Sequence, residues 1–415
     1  MTTKLLRKIV SLFVICSGFS ATAIAADDSA LLNVLVKKGI LTTQEALLLR
    51  DEMADESEKT IVDTVSGGKK TTALSIYGRL QLQHINFDSD GPGVAHTNHF
   101  LARRIRLGVQ AQLGENWITD LNYEFGAENI DRLLIAYLTK MGDTPVSLSF
   151  GIRKVNFGLE ENKSSSRLKA IERSGATRYF VEANNGRRLG AGKQRVGIFF
   201  DARSGKSTGF YYGASITNPE LPIGGIGAIS AGTELTNEFA LWADAGYTGQ
   251  LDSISYRIGA AGGYLPNQGG PQALIGRDGS DLQVFSVYGD FKAGAFSVAT
   301  EFLTSSMDDG AAVGTDASPW GVWIEPSYMV NDRFEVTARA SYTDSDGRGI
   351  RVSDGVRSAR ASLVGDNLTE VFIGFSYYIL GNDLKLQTGY VRGWAEKNGV
   401  KEESDGVRSA LAVNF

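Results

Sequence analysis

The chain has 415 residues, of which 49 are glycine and only 8 proline, and a formal net charge of −5. This composition excludes a disordered or collagen-like chain, and the weakly acidic balance gives no reason to expect a nucleic-acid partner. A mean hydropathy of −0.11 and the lack of repeated apolar runs of about 20 residues exclude a polytopic helical membrane protein. It does not exclude a transmembrane barrel, whose strands alternate apolar and polar residues and so average out.

Residues 1–25 read as a secretory signal peptide. Lys4, Arg7 and Lys8 form a charged start, an apolar stretch covers 9–19, and Ala23-Ile24-Ala25 is a small-residue cleavage pattern. The single cysteine, Cys16, falls inside this segment, so the mature chain is expected to carry no disulfide. Residues 26–65 read as a short periplasmic helical, coiled-coil-like segment. Leu31, Leu35 and Val36 fall at helical spacing, Gly39 suits a helix end, and Thr42 with Glu45 makes a capping box for a second helix. Residues 66–73 read as a polar linker.

From Leu74 to Phe415 the period changes to two. Leu80 and Leu82 alternate with Arg79, Gln81 and Gln83; Leu107 and Val109 alternate with Arg106, Gly108 and Gln110; Val336, Ala338 and Ala340 alternate with Glu335, Thr337, Arg339 and Ser341. Such segments are strands with one apolar and one polar face. Short turns are expected at 114–116, 141–145, 203–207, 249–251, 293–295, 331–333 and 381–383. Longer connections are expected at 88–99, 158–194, 218–235, 265–281, 305–318, 344–368 and 397–405, with a tight one near Glu128. This alternation of turns and loops gives an all-β fold: a closed antiparallel transmembrane barrel of about 16 strands over 74–415, in the outer membrane. The last strand alternates up to Phe415. A barrel of that size leaves a lumen, and polar faces rich in Gln, Ser, Thr and Arg suit a water-filled one.

By strict alternation Arg79, Arg104, Arg106, Arg153, Arg257, Arg339 and Lys385 point inward, together with Asp120, Glu124, Asp244, Glu325 and Glu335. Two readings follow: a mixed lumen in which bases and acids pair across strands, or a basic track that guides anions. The loop 158–194 favours the second, with eight bases, among them Lys163, Lys169 and Arg173, against four acids, Glu160, Glu161, Glu172 and Glu182. Such a loop folded inward would concentrate anions at a constriction.

The run Gly151-Ile152-Arg153-Lys154-Val155-Asn156-Phe157-Gly158-Leu159-Glu160, the following Ser164-Ser165-Ser166 and Ile171-Glu172-Arg173-Ser174, and the strand Phe100-Leu101-Ala102-Arg103-Arg104-Ile105-Arg106 resemble the phosphate-selective porin O/P family. The resemblance implies a 16-stranded, homotrimeric channel for small phosphate-like anions, set in lipid and lipopolysaccharide, needing no cofactor. It places Arg79, Arg103 and Arg104 at the family's anion-binding positions, with Arg106, Arg153, Lys154 and Arg173 beside the path. Alternation conflicts at two of these. Arg103 points outward unless a bulge intervenes, and Lys154 shares a face with Phe150 and Ile152.

Three alternatives compete. A general or carbohydrate porin would use Trp242 and Trp323 as stacking platforms. An anchor or adhesin would use the N-terminal helices on peptidoglycan. An enzyme finds little support, because His84, His96 and His99 are the only histidines and neither a nucleophile motif nor a metal cluster accompanies them. The heptapeptide Ser-Asp-Gly-Val-Arg-Ser-Ala occurs twice, at 353–359 and 404–410, without a role that the sequence explains.

Overall fold

In the computed structural model, the strands expected from the period-two pattern form one sheet that closes on itself. The structure describes residues 71–91, 96–203, 208–219, 238–270 and 279–415. The signal peptide, the helical segment and most of the linker lie outside the described residues. In chain order the strands are β1 (Thr71–Ser89), β2 (Thr97–Leu113), β3 (Trp117–Glu124), β4 (Asn129–Met141), β5 (Thr144–Lys154), β6 (Gln194–Arg203), β7 (Gly209–Thr217), β8 (Ala240–Leu251), β9 (Ile254–Leu265), β10 (Leu282–Ala293), β11 (Phe296–Ala312), β12 (Thr315–Ala317), β13 (Trp320–Asn331), β14 (Phe334–Asp344), β15 (Asn367–Leu380), β16 (Leu384–Lys397) and β17 (Val400–Asn414). β1 begins at Thr71, inside the segment read as linker.

Each strand pairs antiparallel with its neighbours in sequence, and β17 returns to β1 through pairs such as Arg79↔Asn414 and Gln83↔Ala410. The short β12 pairs only with the outer end of β11, while β11 and β13 pair directly below it. The wall is therefore a closed barrel of 16 strands with β12 as an extra rung in a loop. Closure leaves no sheet edge and satisfies every ladder in lipid. Among the described residues no helix is long and apolar enough to cross a membrane; the crossing elements are strands.

The faces follow the alternation. Leu80, Leu82, Leu107, Val109, Ile135 and Ile373 are exposed on the outer surface, whereas Gln81, Gln83, Arg104, Asp120, Glu124, Asp244, Glu335, Arg339 and Lys385 are buried inside. Outward aromatics gather at both ends of the strands. Trp117 lies against Tyr137, and Phe334 against Phe375, on the short-turn side; Phe302, Trp320 and Tyr342 stack on the loop side. These are the two interfacial girdles of a membrane barrel.

Two expected loops are not loops. At 397–405 the strands run to Lys397 and resume at Val400. Asn398 and Gly399 take φ of 49° and 75°, the two positive angles of a type I′ hairpin turn. At 305–318, β11 continues to Ala312 and turns at Gly314 back into β12. The long connections described throughout are 155–193 and 345–366, both on the side opposite the short turns.

Candidate functional site

The loop between β5 and β6, residues 155–193, runs into the barrel. It carries helices α1 (Leu159–Asn162) and α2 (Gly175–Val181), the second capped by Ser174, whose side chain accepts from the Thr177 N–H. Phe157, Leu159, Tyr179, Phe180, Val181 and Leu189 are buried there. They join inward side chains of β8–β13, among them Trp242, Leu282, Leu303 and Trp323, in one apolar cluster. No residue of β3, β4 or β5 belongs to that cluster.

Acids of the far wall clamp the loop. Glu301 of β11 accepts from the Leu159 N–H at 2.7 Å and from Trp323 Nε1 at 3.1 Å. Arg339 of β14 joins Glu160 of the loop at 2.9 Å to Glu370 of β15 at 2.7 Å, and Glu370 also accepts from the Gly175 N–H. Two of the loop's lysines are engaged on the same wall, Lys163 with Asp290 at 2.7 Å and Lys169 with Glu335 at 2.8 Å. Two of the loop's eight bases are thus paired with acids of the wall it lies on.

The opposite wall holds most of the residues singled out by sequence. Arg104 is 2% exposed and donates to Gln81. The register between β1 and β2 shifts between Gln81↔Arg104 and Leu82↔Ala102, so Arg103 is the extra residue of a bulge. That bulge resolves the conflict in the alternation: Arg103 turns inward and grips Glu172 with Nε at 2.6 Å and a terminal nitrogen at 3.1 Å. Arg79 reaches Asn414 at 2.5 Å, Ser164 at 3.0 Å and Ser165. Arg106 pairs with Glu124 at 2.6 Å and Asp131 at 3.0 Å, and Arg153 with Asp201 at 2.5 Å.

Lys154 also departs from simple alternation. Phe150 is 61% exposed but Ile152 only 2%, and between them Gly151 takes φ of 136°, a backbone state open to glycine. Beyond this break Lys154 meets Glu161 at 2.9 Å, and Arg173 meets the same carboxylate at 2.9 Å. Burial pushes the Glu161 carboxyl up, but Arg173, Lys154 and Lys193 outweigh it and hold the group down at about 2.

A second loop, 345–366 with α3 (Val352–Gly355), packs against the first. Arg187 pairs with Asp354 at 2.6 Å, and Arg357 pairs with Glu172 at 3.1 Å and with Glu182. Arg408 of β17 donates to Gln83 at 2.8 Å and to the Arg357 carbonyl, while Gln83 donates to Glu172 at 3.0 Å. Arg178 and Arg188 close on Glu182 at 2.9 and 2.8 Å. Six arginines (103, 104, 178, 188, 357 and 408) therefore surround two glutamates. Burial alone would raise the Glu172 carboxyl, but Arg103, Arg357 and Arg104 hold it well below the usual carboxylate range.

Arg357 and Arg408 were not among the expected site residues. The repeated heptapeptide was their signal: each is the arginine of one copy, the first copy folded as a helical turn and loop, the second as strand. Trp242 and Trp323, the candidate stacking platforms, are 4% and 1% exposed and lie behind the inward loop, bonded to Thr217 and Glu301. Among the described residues no group of His, Cys, Asp and Glu is placed to hold a metal; His96 pairs with Asp88 at 2.6 Å.

Residues 74–217, which span β1 to β7 and the whole inward loop, match the family described as phosphate-selective porin O and P. No curated protein sequence matches the chain. Among solved structures, an anion-selective porin from Comamonas acidovorans is similar over 83% of this chain and 99% of its own, at 11% identity and a TM-score of 0.56. The outer membrane channel DcaP of Acinetobacter baumannii is similar over 85% and 100%, at 13% identity and 0.56. OmpT, an outer membrane protein of Vibrio cholerae, is similar over 85% and 100%, at 11% identity and 0.53. At these identities the likeness shows the fold, a closed barrel of the outer-membrane kind.

Proposed function

We propose that this chain, an outer-membrane porin that belongs over residues 74–217 to the phosphate-selective porin O and P family, conducts small anions by passive diffusion past the arginines of β1, β2 and the inward loop. The observation that carries this reading is the cluster of six arginines around Glu172 and Glu182, at the meeting of the two inward loops with the polar wall. An excess of guanidinium groups in a lumen with low-dielectric walls raises the local anion concentration. The planar fork of arginine also suits oxyanions, phosphate among them. In this reading Arg79, Arg103, Arg104, Arg106, Arg153, Lys154 and Arg173 form or support the path. The anion selectivity stated for the Comamonas acidovorans porin, a chain of similar fold, agrees with it.

The same reading makes the chain a homotrimer in lipid and lipopolysaccharide, as one solved form of the OmpT barrel is a trimer. It puts the N-terminal segment in the periplasm, within reach of peptidoglycan. A general diffusion porin is the second reading. The dense cross-strand pairing of Arg106, Arg132 and Arg153 with acids favours it, whereas the burial of Trp242 and Trp323 removes the platforms a sugar track needs. Titrating phosphate against chloride conductance in a planar bilayer separates the two. Block by phosphate, weakened about tenfold in Arg104→Ala, about 1.4 kcal/mol, is expected for the anion path. Conductance indifferent to phosphate in both proteins would leave the general porin.

A further inference from the structure

The cluster around Glu172 is a finished anion site that the chain fills with its own carboxylate. We propose that Glu172 is a tethered stand-in for a solute carboxylate, and that organic carboxylates cross the barrel by displacing it from Arg103 and Arg357. This inference rests on the anion-favouring reading of the channel and narrows it to a class of solute.

The geometry is that of a ligand in a site. Arg103 presents Nε at 2.6 Å and a terminal nitrogen at 3.1 Å to the two oxygens of one planar group, the fork-on-carboxylate arrangement. Arg357 adds Nε at 3.1 Å, Gln83 donates at 3.0 Å, and Arg104 stands 3.9 Å away. Donors from β1, from β2 and from the second loop thus converge on a carboxylate from a fourth element. The wall and the loops are separate segments, so the carboxylate can leave while its donors stay in place.

Two further observations support exchange. Glu172 itself is buried, at 8% exposed, but two of the guanidinium groups that hold it, those of Arg103 and Arg357, keep 21% and 28% of their side chains exposed, so solvent reaches the edge of the site. The repeated heptapeptide delivers Arg357 and Arg408 to one point through unlike backbone conformations, with Arg408 donating to the Arg357 carbonyl. Replacing Glu172 by a solute carboxylate conserves the number of charge-assisted hydrogen bonds, so exchange costs mainly the ordering of the solute. Glu172 then sets a weak affinity and a fast release, as conduction requires.

The test is current block in a planar bilayer by potassium acetate, succinate and phosphate, on the full-length protein and on Glu172→Gln. Retention of the folded, heat-modifiable band on gels serves as the check of folding. Glu172→Gln is expected to tighten block by acetate and succinate about tenfold or more, and block by phosphate less; Arg357→Gln is expected to weaken carboxylate block. Unchanged carboxylate block in a folded Glu172→Gln barrel that still favours anions would overturn the inference, leaving Glu172 a plain tie between loops with the anion path intact. Equal tightening for phosphate would overturn the assignment to carboxylates. A wild-type barrel with no anion preference would sink the channel reading instead. Should Glu172→Gln not fold, Glu172→Asp, shorter by one methylene, is expected to tighten carboxylate block too, and its failure to do so counts against the proposal.

Discussion

The wall from β8 to β13 turns Trp242, Leu282, Leu303 and Trp323 into the barrel, whereas β2 to β5 turn in Arg104, Arg106, Asp120, Asn122, Glu124 and Arg153. Both walls are built from the same alternating strands. The difference lies in what their inner faces require. Apolar side chains inside a wide barrel gain by leaving water, and Phe157, Leu159, Phe180 and Val181 of the inward loop supply the cover. Acids of that wall then hold the loop through Arg339 and the backbone of α1 and α2. The loop packs its apolar residues on one side and meets the charged wall with Glu161, Ser164 and Glu172, so selectivity becomes a property of that wall and the loop edge facing it.

The largest expected effect is on the filled side. Arg339→Met removes the cation shared by Glu160, Glu370 and, at 3.6 Å, Glu325. Stranding buried carboxylates costs about 3–5 kcal/mol, so the temperature at which the folded gel band is lost should fall steeply and conductance should rise as the loop comes free. Arg106→Met on the polar wall should cost less stability and change selectivity instead, because Arg106 is 22% exposed where Arg339 is 3%, and Glu124 keeps the Ile105 and Gly126 N–H groups as donors. Equal losses in the two variants would erase the distinction between the walls.

Acid sharpens the same comparison. Glu161 is depressed from 4.5 to about 2, and Glu172 and Glu182 are also held low by their arginines. A carboxyl depressed on folding stabilises fully above its unfolded value and loses that contribution as pH falls through the folded one. Conductance and thermal stability should therefore hold from neutral pH to about 4.5 and give way between there and about 2. Loosening that begins above pH 5 would mean that these carboxylates do not pin the loop.

The smallest effect is expected at the rim. Gly399→Ala meets no atom within 4 Å but must hold φ of 75°, a strain of about 1–2 kcal/mol. It should lower thermal stability slightly and leave ion preference untouched.

The strands, their faces and the closed barrel were legible because a period of two needs only local sequence. The bulge at Arg103 was legible as a conflict, since the alternation pointed outward a residue that the family pattern pointed inward. The turn at Asn398-Gly399 carries the local Asn-Gly signature of a two-residue hairpin, although 397–405 was expected as a longer loop. The clamp was not legible: Glu160 meets Arg339 and Lys169 meets Glu335 across more than a hundred residues of chain, and nothing local marks such pairs. The basic loop's excess of charge was legible, but a charge count does not say which bases meet acids of the wall, as Lys163 and Lys169 do.

The most direct test is the reversal potential of the wild-type protein in a planar bilayer across a KCl gradient. A potential close to the one chloride sets, moving toward zero in Arg104→Ala, is the predicted result. A potential near zero or on the potassium side, unchanged by that substitution, would contradict the account.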